Sequence, residues 1–146
     1  MVGLTNPYSL TTLRLPFASP WSAVFMRLTH VNITIPRDGE DAARAFYSAL
    51  LGLEEIPKPE AIRGRGGCWF DAGGVDLHLS VEEGRAGVDT YRHFGLECAD
   101  VAAIRARLVE AGVTVMEGRP APWQRFFVND PFGNRIEIHE QGAMRL

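Results

Sequence analysis

Lysine is nearly missing from this chain: Lys58 stands alone beside fourteen arginines. That excludes a cluster of ammonium point charges for phosphate and leaves only arginine forks for anions. Excess positive charge is missing too, since Lys+Arg 15 against Asp+Glu 18 gives a net charge of −3. No basic face is implied, which argues against nucleic acid or an anionic membrane as the main partner. No run reaches the ~18 apolar residues of a spanning helix. Cysteine is sparse: Cys68 and Cys98 are the only two, without a CxxC pair. A disulfide framework is thereby excluded, and both thiols read as buried and free in a reducing cytoplasm. Acidic residues are absent before Asp38, and Arg14 is the one charge in residues 1–25. Pro16 and Pro20 interrupt that stretch, which lacks the basic start and clean apolar run of a secretory signal. Residues 1–25 therefore read as an N-terminal extension, with Trp21 and Phe25 as its anchors.

What is present suits one globular domain: 146 residues, 46% of them apolar, enough for a full core. From Arg27 the pattern RLTHVNITIP alternates, with Val31, Ile33 and Ile35 on one face and His30, Asn32 and Thr34 on the other, a half-buried strand stopped by Pro36. Asp38 or Asp41 is expected to cap a helix with an apolar stripe of Ala42, Ala45, Phe46, Ala49 and Leu50, ended by Gly52. LEEIPKP, GGCWFDAGG and VDLHLSVEE follow as three short strands. The order then repeats. RHFGLECAD is a strand with Phe94, Leu96 and Cys98 opposite His93, Gly95 and Glu97. Asp100 caps a helix with the stripe Val101, Ile104, Leu108 and Ala111, closed by Gly112, and VTVMEG, RFFVND and RIEIHE are strands. Equivalent landmarks recur about 60 residues apart. The expected fold is α+β: two βαβββ modules, about 26–83 and 90–141, linked through 84–92, with eight strands around an open barrel-like cavity and both helices outside.

Strand parity selects the candidate chemistry. His30, His78, His93 and Glu137 lie on the faces away from the helices, at matched places in the two modules. Neutral imidazoles with one carboxylate suit a single divalent ion such as Zn, Ni, Fe or Mn, and strands position ligands firmly. The same parity brings Asn32, Thr34, Trp69, Ser80, Arg125, Phe127 and His139 to that face. Asn32, Trp69, Arg125 and Phe127 are the substrate-contact candidates. His139 shares a face with Glu137, and these two are the candidate catalytic groups. Arg63 and Arg65 are further candidates for an anionic substrate group, although a solvated loop explains them as well.

LTHVNITI, FYSALLGL, VDLHLSV, RHFGLECAD, VEAGV and FFVNDPFGNRIEIHE together give the chain a family likeness. It resembles the vicinal oxygen chelate superfamily, which includes glyoxalase I, fosfomycin-resistance thiol transferases, extradiol dioxygenases and bleomycin-binding proteins. The likeness covers residues 26–141. It implies paired βαβββ modules around a metal, with His30, His93 and Glu137 at the family's ligand positions. His78 stands where glyoxalase I carries Glu, a departure from that branch. The implied activity is a metal-dependent lyase or isomerase of glyoxalase type, acting on a small molecule that chelates the ion through oxygens. A thiol transferase against an antibiotic, an extradiol-type dioxygenase and a non-catalytic drug binder are the alternatives. The dioxygenase is less favoured because that branch typically carries extra modules, and binders of that kind lack the ligand set. The resemblance also implies a homodimer, with the modules paired within one chain or swapped between two.

Overall fold

The computed structural model describes residues 27–84 and 91–142. The N-terminal extension and most of the 84–92 link lie outside the described residues. The first module runs β1 (His30–Ile35), α1 (Glu40–Arg44, continued by a π-helical segment Ala45–Leu50), β2 (Glu54–Ile56), a 3₁₀ turn (Glu60–Arg65), β3 (Cys68–Asp71) and β4 (Asp76–Val81). The second runs β5 (Phe94–Cys98), α2 (Val101–Glu110), β6 (Met116–Glu117), β7 (Arg125–Asn129) and β8 (Arg135–Glu140). Two four-stranded sheets result, ordered β1-β4-β3-β2 and β5-β8-β7-β6. In each, the first and last strands pair parallel and the others antiparallel. This is the α+β architecture of two βαβββ modules. The curved sheets wall an open cavity and do not close a barrel.

Period-two alternation decides which faces are buried. Cys68, Phe70, Leu77 and Leu79 in one sheet, and Phe126, Val128, Ile136 and Ile138 in the other, join Ala43, Phe46, Tyr47, Val101 and Leu108 from the helices in one continuous core. The helix-bearing faces of both modules thus share their apolar interior. Three hydrogen bonds tie them further: the Tyr47 hydroxyl donates to Asp130 Oδ2 at 2.7 Å, Asn134 Nδ2 to the Thr34 carbonyl at 3.0 Å, and Arg107 Nη2 to the Ala49 carbonyl at 2.6 Å. The polar faces lie on the opposite sides of the sheets.

The two helices differ in how they follow the sequence pattern. Asp100 caps α2 as expected, accepting from the Ala103 N–H at 2.8 Å. The first helix departs from expectation. Neither Asp38 nor Asp41 caps it, because Asp38 takes a left-handed turn (φ 63°) and Gly39 becomes the helix boundary. The buried stripe is Ala43, Phe46 and Tyr47 with half-buried Leu50, whereas Ala42, Ala45 and Ala49 face solvent. In the wider π segment the Leu51 N–H reaches back to the Phe46 carbonyl at 2.9 Å. Cys68 is buried and Cys98 half-buried, both as free thiols. Burial pushes the Cys68 thiol up to about 11. No helix among the described residues is long and apolar enough to cross a membrane.

Candidate functional site

The second module assembles a carboxylate-centred site. Arg125 and Phe127 on β7 and Glu137 and His139 on β8 project to one face by strand parity, and Phe127 lies directly opposite Glu137 in the ladder. His93 is expected within the strand but lies just before β5 begins at Phe94. The Glu137 side chain is only 5% exposed, beside His93 at 35% and Arg125 at 20%. Its oxygens are divided: Arg125 Nη1 donates to Oε1 at 2.9 Å, and His93 Nε2 faces Oε2 at 3.1 Å. Below them the Phe127 ring meets His93 edge-on with centroids 5.2 Å apart.

The His93 ring carries an informative constraint. Its Nδ1 lies 2.7 Å from the Tyr91 carbonyl, which can only accept, so Nδ1 is the donor. A neutral ring then turns a lone pair at Nε2 toward the acceptor Oε2. Two acceptors 3.1 Å apart repel unless a cation, proton or metal, lies between them. That spacing is also what two donors adopt on one ion when each binds it at ~2.1 Å. The arrangement accommodates a shared proton, or an ion if further ligands are supplied. His139 Nδ1 donates to the Glu140 carbonyl at 3.0 Å, which leaves Nε2 as its acceptor nitrogen. That nitrogen lies over Gly95, where a Cβ would stand 3.4 Å from it.

The first module gathers the other candidates into an aromatic column. Trp69 and His78, cross-strand partners, stack with centroids 3.6 Å apart and planes 7° apart. His30 covers the other side of His78 at 4.6 Å and 14°. His78 Nε2 is buried without a hydrogen-bond partner. Asp76 Oδ2 is 3.8 Å away, beyond hydrogen-bonding range. Burial first, and then the charge of His30, hold the His78 pKa below the ordinary histidine value. Ser80 donates to Asn32 Oδ1 at 2.7 Å on the same face.

The structure thus brings His93 to Glu137 and His30 to His78, as two separate pairs. Among the described residues no group of three or more His, Cys, Asp or Glu is placed to hold a metal. Thr34 is half-buried on β1, its carbonyl bound to Asn134. Arg63 and Arg65 are exposed on the 3₁₀ turn, where Arg63 lines a shallow cavity with Trp69. Sequence reasoning passed over Arg135, whose guanidinium lies 4.5 Å from the Phe127 ring centroid. The signal was available, since Arg135, Glu137 and His139 alternate along β8.

Fold and site together define a protein of duplicated βαβββ modules with a histidine–carboxylate pair on the polar face of a curved sheet. The chain belongs to the Glyoxalase/Bleomycin resistance protein/Dioxygenase superfamily, which its residues 27–138 match. It is 38% identical to a glyoxalase family protein of known structure from Bacillus anthracis, covering 80% of this chain and 95% of that one at a TM-score of 0.74. Lactoylglutathione lyase from Agrobacterium tumefaciens shares the fold at 21% identity and TM-score 0.61, covering 82% of this chain and 97% of that one. A curated relative, 3-dehydroshikimate dehydratase from Pseudomonas aeruginosa, is 29% identical over an alignment 106 positions long that covers 62% of this chain. The match spans only 17% of that enzyme's length.

Proposed function

We propose that the protein is a metal-dependent enzyme of glyoxalase-like lyase or isomerase type, acting on a small substrate that chelates one divalent ion through oxygens. The observation that supports the reading is the His93–Glu137 pair, in which an imidazole Nε2 faces an oxygen of a largely buried carboxylate at 3.1 Å. His93 and Glu137 of one chain would be completed by His30 and His78 of a second copy, in a homodimer with swapped modules. Support for the swap comes from the shared core: helix-bearing faces that pack on each other within one chain leave both polar faces for another chain to cover. A divalent ion held by these residues would supply Lewis acidity to a substrate oxygen. Glu137 or His139 Nε2 accepts the substrate proton, the latter because its other nitrogen is committed to the Glu140 carbonyl. Asn32, Trp69, Arg125 and Phe127 bound the substrate. The free thiols support a cytoplasmic setting.

A second reading, a non-catalytic drug binder, has the Trp69–His78–His30 column in its favour, because stacked rings bind planar ligands without chemistry. One experiment separates the two. The purified protein is offered zinc, nickel, iron or manganese, dialysed, and analysed for bound ion. It is then assayed with thiol adducts of small oxo compounds, with fosfomycin plus thiol, and with catechols under oxygen. One ion per chain and turnover of an oxo substrate support the enzyme. Turnover of fosfomycin or a catechol moves the protein to the thiol-transferase or dioxygenase branch. A folded protein that retains no ion and turns over nothing refutes the enzyme and leaves the binder. Sedimentation as a stable monomer at micromolar concentration refutes the swapped site.

A further inference from the structure

On the flank of the second module, between the first turn of α2 and the connection from β6 to β7, lies a cavity of about 330 Å³. That volume stands at the low end of ordinary ligand pockets, roughly 300–1,000 Å³. We propose that the cavity binds the oxyanion group, carboxylate or phosphate, of a small molecule, with Arg119, Trp123 and Arg125 as its donors. The site needs neither a metal nor a second chain, and it adjoins the His93–Glu137 pair only through Arg125.

The cavity wall is charged on one side only. Arg105, Arg119 and Arg125 line it, and no acidic side chain among the described residues does. Two of these arginines are neutralised from outside the wall, Arg105 by Glu117 and Arg125 by Glu137. The Arg119 guanidinium has no acceptor or ion-pair partner among the described residues. One unbalanced positive charge therefore borders the cavity.

Two buried N–H groups of lining residues, Trp123 Nε1 and Arg125 Nε, lack a protein acceptor. Both atoms can only donate. The terminal nitrogens of Arg125 are engaged, Nη1 with Glu137 Oε1 at 2.9 Å and Nη2 with the Arg119 carbonyl at 3.3 Å, so Nε is the donor it still offers. Gly118 lies against that nitrogen: a Cβ on it would stand 3.0 Å from Nε, and a side chain there would cover the donor. A buried donor without an acceptor is costly, and native proteins keep few of them. Two such donors beside one unpaired guanidinium call for a ligand that brings both oxygens and negative charge. A neutral acceptor would meet the N–H groups but gain nothing from Arg119. Because neither nitrogen is open to solvent, an entering oxygen displaces the indole slightly, which makes the indole N–H the reporter of choice.

The test follows the three tryptophan indole N–H resonances of the full-length, nitrogen-15-labelled protein as inorganic phosphate or acetate replaces chloride at constant ionic strength. Trp123→Phe assigns the Trp123 signal; where that variant does not fold, Trp21→Phe and Trp69→Phe assign it by elimination. Expected is a saturable downfield shift of the Trp123 resonance alone. Arg119→Gln, a change at an exposed residue, should raise the half-saturation concentration by about tenfold, as expected for a charged hydrogen bond. Saturation with phosphate alone, acetate alone or both supports the site and tells which oxyanion it takes. No saturable shift with either salt, equal shifts of all three indoles, or a half-saturation point that Arg119→Gln leaves unchanged overturns the proposal.

Discussion

Replacing Tyr47 with Phe removes one oxygen from the contact between the two modules. Tyr47 is 0% exposed and Asp130 4%, and their hydrogen bond is 2.7 Å long. The Asp130 carboxylate also accepts from the Phe132 and Asn134 N–H groups at 2.9 and 2.8 Å, and from Asn134 Nδ2 at 2.8 Å. Phe in place of Tyr creates no cavity, because the ring keeps its contacts with Phe46 and Phe70 at 5.1 and 5.4 Å. A hydrogen bond to a charged acceptor is worth roughly 1.5–3 kcal/mol. Three donors remain on Asp130, so the lower half applies, about 1.5–2 kcal/mol. At roughly 2–4 °C per kcal/mol for a chain of this size, Tm falls by about 3–8 °C. Asp130→Ala is expected to cost at least twice as much, since it strands the buried Tyr47 hydroxyl and two backbone N–H groups at about 1–3 kcal/mol each. Urea unfolding at one fixed protein concentration measures both, the fixed concentration removing any contribution from association. A loss below about 0.5 kcal/mol for Tyr47→Phe, or an Asp130→Ala protein no less stable than Tyr47→Phe, would refute the reasoning.

Three further outcomes are expected. The Cys68 thiol, held protonated up to about pH 11, should resist iodoacetamide at pH 8 in the native protein while half-buried Cys98 reacts faster; mass spectrometry of the labelled peptides decides. Tyr47 is raised as well, by burial and then by Asp130. For both groups the folded-state pKa lies above the unfolded one, so their stabilisation is complete at neutral pH and is lost as pH rises past the ordinary thiol and phenol values, about 8.5 and 10; an alkaline denaturation series that stays flat through that window contradicts this. Gly67→Ala should destabilise by about 3 kcal/mol through overpacking and left-handed strain, because its Cβ would stand 2.0 Å from the Leu79 carbonyl at φ 78°; a thermal melt matching wild type would count against it. Glu137→Ala should lose most bound metal and His78→Ala less; direct metal titration of both variants against wild type reads the difference.

Strand parity made most of the site legible, since a period of two leaves no choice of face once the apolar side is known. Arg125, Phe127, Glu137 and His139 share their face for that reason, and Trp69 sits opposite His78 in the ladder. The second helix was readable from the Asp100 cap, although Ala111, expected on its apolar stripe, lies exposed past its last residue Glu110. The first was not, because its π segment shifts the stripe and because Tyr47 reads as polar until Asp130 is seen beneath it. Nothing in the periodicity marks the 3₁₀ turn at Glu60–Arg65. The placement of one module against the other is set by side chains such as Tyr47, Asn134 and Arg107, whose partners lie 83, 100 and 58 residues away. Local pattern therefore predicts each pair of candidate ligands but not whether the pairs meet.

Because each sheet joins its first strand to its last, neither the His93–Glu137 contact nor the His30–His78 stack can exist in a half-made module. His93 must wait for Glu137, 44 residues later, and the His30–His78 stack for the strand that brings His78. Parallel closure of this kind comes late, after the loop entropy of the intervening chain has been overcome. A nascent or truncated chain would thus display its histidines singly, without the neighbours that fix their orientation. Both pairings would be timed by the arrival of β4 and β8, making them properties of finished modules.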